Sequence, residues 1–153
     1  MRVKPRTVAS GRPRPLASRA KPAAGTVQPY LFVYGTLKRG GKSHSEIAED
    51  RGVKYVGEAR IRGKLYQIRD ADFPGAVPTT QPNRYVNGQL FLMRHPLETL
   101  AALDEFEGVA EGLFRRDLVD VRINGRPVKA WAYFYARSVE DSNLLQVGVY
   151  SSE

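Results

Sequence analysis

The sequence feature that most restricts the fold is a hairpin signal near the end of the chain. Residues 117–123 and 128–136 have the composition of strands and flank the dipeptide Asn124-Gly125. Asparagine followed by glycine is a preferred pair for a two-residue turn between antiparallel strands, because both positions need positive φ angles. The pattern predicts a β-hairpin, although the arginine and proline that follow could lengthen its loop. Aromatic residues fall on both faces of the second strand, so we expect one face in the core and the other against a helix or a cavity.

Three further segments predict strands. Residues 31–33 form a short apolar run, residues 53–68 form a longer strand region, and residues 84–93 form another. Glycine inside a strand often marks a bend or a bulge. We therefore expect the second region to bend at Gly57 and Gly63, and the third to be interrupted at its Asn-Gly pair.

One segment, residues 96–107, predicts a helix. Pro96 suits the first turn, and Gly108 stands where a left-handed cap would end the helix. Successive helical residues are about 100° apart. This spacing places the apolar side chains on one face: Leu97, Leu100, Ala101 and Leu103. Asp104 and Glu107 fall on the same face, whereas the other acidic residues of the helix point away from it.

Glu107 is the candidate general base. A carboxylate on the core-facing side of a helix loses water, and the negative end of the helix dipole lies beside it. Both effects favour the protonated form and raise the pKa of the carboxyl group toward neutrality, where it can accept and return a proton. The alternative is a buried carboxylate with a structural role, paired with Arg115 or Arg116. The helix alone leaves both interpretations open.

The loop after the first apolar strand is the candidate anion site. Gly35 follows that strand, and Gly40-Gly41 lies at the far end of the loop. Glycine reaches backbone conformations closed to other residues. The amide N–H groups of Gly35, Thr36 and Leu37 could therefore converge on a carboxylate or an oxyanion. An ordinary turn between a strand and a loop is the alternative.

Several motifs occur in the order and rough spacing of one known family. They lie at residues 33–40 (Val-Tyr-Gly-Thr-Leu-Lys-Arg-Gly), 43–44 (Ser-His), 86–91, 103–108 and 130–135. From about the start of the first strand to the end of the last, the chain resembles the gamma-glutamylcyclotransferase-like family. The resemblance is closest to the branch that contains the AIG2-like proteins and gamma-glutamylamine cyclotransferase. No single motif is specific, but the combination is.

The resemblance implies an α+β fold, with a small mixed barrel-like sheet, short helices and a cavity that holds a γ-glutamyl group. It implies that Glu107 is the catalytic base and acid. It also implies that Tyr34, Gly35, Thr36 and Leu37 bind the substrate through backbone amides. The reaction would be attack of the substrate's own amine on its γ-carbonyl carbon, which releases 5-oxoproline and a free amine.

The chain departs from the family pattern at Phe114, where many relatives have tyrosine. If that tyrosine hydroxyl contacts the substrate or the base in those relatives, the contact is lost here. A protein that binds a small molecule in the same cavity without turnover is therefore the alternative function.

Cysteine is absent, which excludes thiol nucleophiles, disulfides and cysteine-ligated zinc. The two histidines, His44 and His95, lack metal-ligand spacing, and we expect them at the surface or at a helix cap. We expect no metal and no cofactor. The expected partner is a small γ-glutamyl substrate, and the sequence does not fix the oligomeric state.

The net charge of +8 belongs almost entirely to the start of the chain. Residues 1–28 contain seven Lys and Arg and no acidic residue, whereas residues 29–153 contain seventeen basic and sixteen acidic residues. With four prolines and few large apolar side chains, residues 1–28 predict a disordered basic tail before a single domain over residues 29–153. Clustered basic residues attract nucleic acid without sequence preference, so we expect nucleic-acid contact only through the tail.

No apolar run is long enough to span a membrane, so we expect no membrane partner. The basic tail lacks the apolar segment of a secretory signal. An organellar transit peptide shares its arginine-rich, acid-poor composition, but the prolines disfavour an amphipathic helix. We therefore predict a cytoplasmic protein, in which residues 1–28 are either a bacterial-type extension or the result of an over-long start codon assignment.

Overall fold

The computed structural model describes residues 27–35, 37–38 and 52–145. Within these residues the chain forms eight strands and one helix. In chain order they are β1 (Tyr30–Val33), β2 (Val53–Arg62), β3 (Lys64–Gln67), β4 (Pro74–Val77), β5 (Tyr85–Met93), α1 (Pro96–Phe106), β6 (Phe114–Ile123), β7 (Arg126–Tyr135) and β8 (Asn143–Leu144).

Five of the strands close into a barrel in the order β1, β5, β2, β6, β7. The neighbouring pairs β1/β5, β5/β2, β2/β6 and β6/β7 are antiparallel. A parallel contact between β1 and β7, with Leu31 opposite Trp131, closes the ring. The other three strands form a small antiparallel sheet in the order β4, β3, β8. The predicted α+β fold with a mixed barrel-like sheet is confirmed.

The hairpin predicted at Asn124-Gly125 is confirmed. Asn124 has φ 52° and Gly125 has φ 77°, as a two-residue turn of this kind requires. Ile123 pairs directly with Arg126, so the following arginine and proline belong to β7 and do not lengthen the loop.

The predicted bends also occur, with one exception. Gly63 separates β2 from β3, and the register of β2 against β5 shifts between Tyr55 and Gly57. The interruption expected within residues 84–93 was wrong, because β5 runs through that segment unbroken. A Cβ atom on Gly88 would collide with the carbonyl oxygen of Val33. The glycine there permits close approach of β1 and does not break the strand.

The core has two parts on opposite sides of the barrel wall. Alternate residues of β1 belong to different clusters, because successive side chains of a strand point to opposite faces. Phe32 packs with residues from all five barrel strands, which fill the interior, among them Ile61 and Leu90. Leu31 packs outside the barrel in a second cluster that includes Leu103. Helix α1 therefore covers one outer face of the barrel.

The described chain begins with residues that already contact the domain. Val27 packs against the outer cluster, and the carbonyl oxygen of Gln28 accepts a hydrogen bond from the indole N–H of Trp131 at 3.1 Å. The rest of the predicted tail lies outside the described residues. In the described part of the chain, no helix combines the length and the apolar character needed to cross a membrane.

Candidate active site

A cavity of about 230 Å³ opens where β1 leaves the barrel. The predicted anion loop and the predicted base meet there, because Tyr34, Gly35, Leu37 and Glu107 all line this cavity. The remaining predicted loop residue, Thr36, lies outside the described residues. Segments far apart in the sequence thus converge on one space.

The end of α1 fixes the position of Glu107. Gly108 has φ 65° and donates its N–H to the carbonyl oxygen of Glu105, while the N–H of Val109 bonds to the carbonyl oxygen of Asp104. These two bonds form a Schellman cap, as the glycine at this position predicts. Glu107 is the capping residue, with φ −85° and ψ 0°. The helix therefore ends at the candidate base.

The buried face of α1 differs from the predicted face. Leu100 and Leu103 are buried as expected, but Leu97 is 64% exposed and Ala101 is also exposed. Thr99 is buried in their place. The face is thus rotated toward Thr99, which puts Leu97 and Ala101 at its edge, and Glu107 stays on the inner side.

The carboxyl group of Glu107 has no hydrogen bond or ion pair with any described residue. Burial raises the pKa of Glu107 from 4.5 to about 7, because a desolvated carboxylate is less stable than the neutral acid. A group with a pKa near 7 is about half ionised at neutral pH. It can therefore both accept and donate a proton under those conditions.

Asp104 has the opposite environment. The guanidinium of Arg116 donates two hydrogen bonds to its carboxylate, at 2.8 and 3.0 Å, and the hydroxyl of Tyr133 donates a third at 2.7 Å. The same guanidinium lies 4.5 Å from the centre of the Trp131 ring. The structural interpretation considered for Glu107 therefore applies to Asp104. Arg115, the other proposed partner, pairs with Asp117.

Tyr34 ties three strands together at the cavity. Its buried hydroxyl donates to the carbonyl oxygen of Tyr133 at 2.7 Å and accepts from the N–H of Ala76 at 3.1 Å. Burial, with a smaller contribution from the Glu107 charge, raises the pKa of Tyr34 far above its usual value. The phenol therefore stays neutral, and its hydroxyl is already engaged as donor and acceptor. A hydrogen bond donated by Tyr34 to a substrate would therefore come from its backbone N–H.

Gly35 is half-buried, and its N–H has no acceptor among the described residues. The φ angle of Gly35 lies outside the left-handed region, so the role of this glycine does not depend on that conformation. The space at this position is tight, because a Cβ atom would lie 3.1 Å from Cγ of Pro74 and the proline ring would have to shift slightly. The carbonyl oxygen of Gly35 accepts from the N–H of Lys38 at 3.1 Å and forms a turn. Gly40-Gly41 and His44 lie outside the described residues.

Aromatic rings form much of the remaining cavity wall. Phe114 is 6% exposed, and its ring centre lies 5.8 Å from that of Phe73 and 5.5 Å from that of Tyr135. The sequence analysis named Phe114 but missed Phe73, Pro74 and Tyr133, which also line the cavity. Pro74 begins β4 of the small sheet and Phe73 precedes it, and no local pattern relates that sheet to β1. The alternation of β7 gave a signal for Tyr133, which was interpreted only as core or wall.

His95 is exposed at the N-cap of α1 and makes no side-chain capping bond. Among the described residues, no group of three or more His, Asp or Glu side chains could hold a metal ion.

Comparisons with known structures agree with this fold. An AIG2-like protein from Mus musculus superposes with a TM-score of 0.70 at 23% identity, covering 82% of this chain and 89% of that one. YkqA from Bacillus subtilis superposes with a TM-score of 0.64 at 22% identity, and the match covers 81% of this chain but 40% of YkqA. At these identities the likeness shows the fold alone.

Sequence comparisons give information on the family as well as the fold. The gamma-L-glutamyl-butirosin B gamma-glutamyl cyclotransferase of Niallia circulans is 32% identical over 123 residues, covering 76% of this chain and 74% of that protein. The family model described as gamma-glutamyl cyclotransferase, AIG2-like, matches residues 31–152. Because this match covers the barrel strands from Leu31 onward, α1 and all the residues that line the cavity, the chain belongs to the gamma-glutamyl cyclotransferase, AIG2-like family.

Proposed function

We propose that the protein is a gamma-glutamyl cyclotransferase, which converts a γ-glutamyl amine or peptide into 5-oxoproline and a free amine. The observation that carries this proposal is the state of Glu107. Its carboxyl group lines the cavity, has no partner among the described residues, and has a pKa raised by burial to about 7. A structural carboxylate would be paired, as Asp104 is.

In the proposed reaction Glu107 acts first as base and then as acid. It takes a proton from the α-ammonium group of the substrate, and the freed nitrogen attacks the γ-carbonyl carbon. The new C–N bond closes a five-membered ring, and the bond to the original amide nitrogen breaks. Glu107 returns its proton to that nitrogen, which leaves as an amine, and the ring nitrogen gives up its second proton to the released amine or to water. Since the nucleophile is part of the substrate, the protein supplies none.

Charge on the substrate would be held by the loop after β1. The carbonyl oxygen becomes negative during the attack, and N–H groups already aimed at it stabilise that charge. The N–H of Gly35, which has no acceptor among the described residues, is a suitable donor, and the family resemblance adds the backbone amides of Thr36 and Leu37 as further candidates. The bonds made by the Tyr34 hydroxyl hold the end of β1 in place, so the donors would need little rearrangement.

Folding the substrate into the cavity would supply much of the acceleration. Intramolecular reactions gain when the reacting atoms are held near bonding distance. A small cavity with rigid aromatic walls favours a bent γ-glutamyl chain over an extended one. One proton carrier and a few fixed dipoles therefore suffice.

The test is to replace Glu107 with glutamine. Glu107→Gln keeps the size and polarity of the side chain but cannot accept the proton, so release of 5-oxoproline is expected to fall by about 10² to 10⁴. The assay offers purified protein a panel of γ-glutamyl amines, γ-glutamyl dipeptides and glutathione. Glu105→Gln is the matched control, because it makes the same change on the exposed side of the same helix.

Two results would count against the proposal. Wild-type turnover in Glu107→Gln would remove Glu107 from the mechanism. If the wild-type protein releases no 5-oxoproline from any member of the panel but is thermally stabilised by a γ-glutamyl ligand, the cavity binds its ligand without turnover. In that case the alternative of a binding protein would replace the enzyme.

A further inference from the structure

We propose that the mouth of the cavity is a subsite for an apolar leaving amine, with the ring of Phe106 as its main contact. This inference rests on the proposed function and specifies its substrate class. The preferred substrates would be γ-glutamyl amides of amines with a hydrocarbon chain or ring.

The size of the cavity places the amine at the mouth. Sites for drug-sized ligands measure roughly 300 to 1,000 Å³, whereas this cavity measures about 230 Å³. It can enclose a γ-glutamyl group, but a substituent on the amide nitrogen must extend toward solvent. The residues at the opening therefore decide which amines are accepted.

Phe106 has the properties of a ligand contact at that opening. Of the described residues that line the cavity, only Phe106 and Asp72 are exposed, and Phe106 is 43% exposed. Phe106 also precedes Glu107 directly in the chain. Because Glu107 must reach the leaving nitrogen to protonate it, a substituent on that nitrogen would lie close to the ring. Covering this ring would remove apolar surface from water, which favours binding.

Other residues that line the cavity are also apolar. Phe73, Pro74, Leu113 and Phe114 line the cavity with apolar side chains. Phe114 presents a ring without a polar atom. A charged or hydroxylated amine placed against this wall would lose water without gaining hydrogen bonds, and that loss is unfavourable. The wall therefore selects for apolar amines.

The first experiment compares γ-glutamyl benzylamide with γ-glutamyl methylamide and the isopeptide between γ-glutamate and the lysine ε-amine. In the wild-type protein, kcat/KM for the benzylamide is expected to exceed that for the other two by about tenfold. Phe106→Ala should remove most of this preference, and Phe106→Leu should retain part of it. Leu97→Ala is the matched control, because Leu97 is on the same helix, is 64% exposed and is not among the lining residues.

Two outcomes of this experiment would overturn the subsite. One is equal use of the benzylamide and the methylamide by the wild-type protein. The other is a preference for the lysine isopeptide that Asp72→Asn abolishes, which would show a subsite for cations. Melting curves of both Phe106 variants show whether they are folded.

A binding measurement separates the subsite from the reaction. Calorimetry with Glu107→Gln compares the Kd values of the two amides without turnover, and the benzylamide is expected to bind about tenfold more tightly. Tighter binding without 5-oxoproline release by the wild-type protein would refute the proposed reaction and leave the subsite standing. Release of 5-oxoproline with equal Kd values and equal kcat/KM values would refute the subsite and leave the reaction standing.

Discussion

Glu107 and Asp104 lie three positions apart on one helix and have opposite surroundings. Asp104 accepts three charged or hydroxyl hydrogen bonds. Glu107 faces the cavity with no partner among the described residues, and its pKa is raised to about 7. Hydrogen bonds stabilise the charge of Asp104. The burial that raises the pKa of Glu107 destabilises the folded protein when Glu107 is ionised. Two consequences can be measured.

The first is the dependence of rate on pH. Only ionised Glu107 can take the first proton, so kcat/KM is expected to fall tenfold per pH unit below an apparent pKa of about 7. The measurement is the initial rate of 5-oxoproline release between pH 5 and pH 9. A profile that stays flat down to pH 5 would show that another group is the base.

The second is the dependence of stability on pH. The pKa of Glu107 is higher in the folded state, about 7, than its usual value of 4.5. Its contribution to stability is therefore greatest below pH 4.5 and is lost as the pH rises through 7. Glutamine avoids this loss. Urea unfolding should show Glu107→Gln gaining on the wild type as the pH rises from 5 to 8, by on the order of 2 to 3 kcal/mol. A constant difference between the two proteins would contradict the raised pKa.

Periodicity was enough to put both carboxylates on the inner side of the helix. It could not tell which one is paired, because Arg116 and Tyr133 lie on the β6/β7 hairpin, and no local pattern fixes how α1 packs against that hairpin. The same limit applies to Gly35. The sequence indicated a special role for this glycine, but the reason is the approach of Pro74 from the other sheet.

At the scale of elements, Asp104 anchors α1 to the barrel. Its carboxylate joins the helix to Arg116 on β6 and Tyr133 on β7. The Asp104 and Arg116 side chains are 29% and 26% exposed, so water replaces their contacts poorly. Asp104→Asn is expected to lower the free energy of unfolding by about 1 to 3 kcal/mol, as measured by urea denaturation.

The hairpin itself supplies the control for that measurement. Arg115 and Asp117 also pair at 2.8 Å, but their side chains are 50% and 38% exposed. Exposed pairs contribute about 0 to 1 kcal/mol. Asp117→Asn should therefore lower the free energy of unfolding less than Asp104→Asn. Equal losses would show that the contacts of Asp104 contribute no more to stability than an exposed ion pair.

Elements with their own local signals were predictable. The Asn124-Gly125 turn and the Pro96 and Gly108 ends of α1 needed no tertiary information. The expected break in β5 failed because Gly88 serves a contact with β1, which lies far away in the sequence. The register of β4 beside the cavity was likewise not predictable, since it depends on pairing with β3 and on the bond from Ala76 to Tyr34.

At the scale of the whole molecule, the contacts of Val27 and Gln28 define how much of the chain can be removed. Residues 1–26 offer few large apolar side chains for a core. Their deletion is expected to leave the melting temperature and the rate unchanged while removing most salt-sensitive binding to heparin. Deletion of residues 1–28 also removes the acceptor for Trp131 and should lower the free energy of unfolding by about 1 kcal/mol. A large loss on the shorter deletion would show that the tail packs on the domain.

The bonds of the Tyr34 hydroxyl determine when the cavity can exist during folding. They join residues 99 and 42 positions apart, so the cavity is complete only after the first and the last barrel strands have met. Contacts between such distant residues form slowly, because the entropic cost of closing a long loop comes before the bond can form. During synthesis on the ribosome, the candidate active site therefore cannot form until β7 has also emerged. A fragment that ends before Tyr133 cannot form this site.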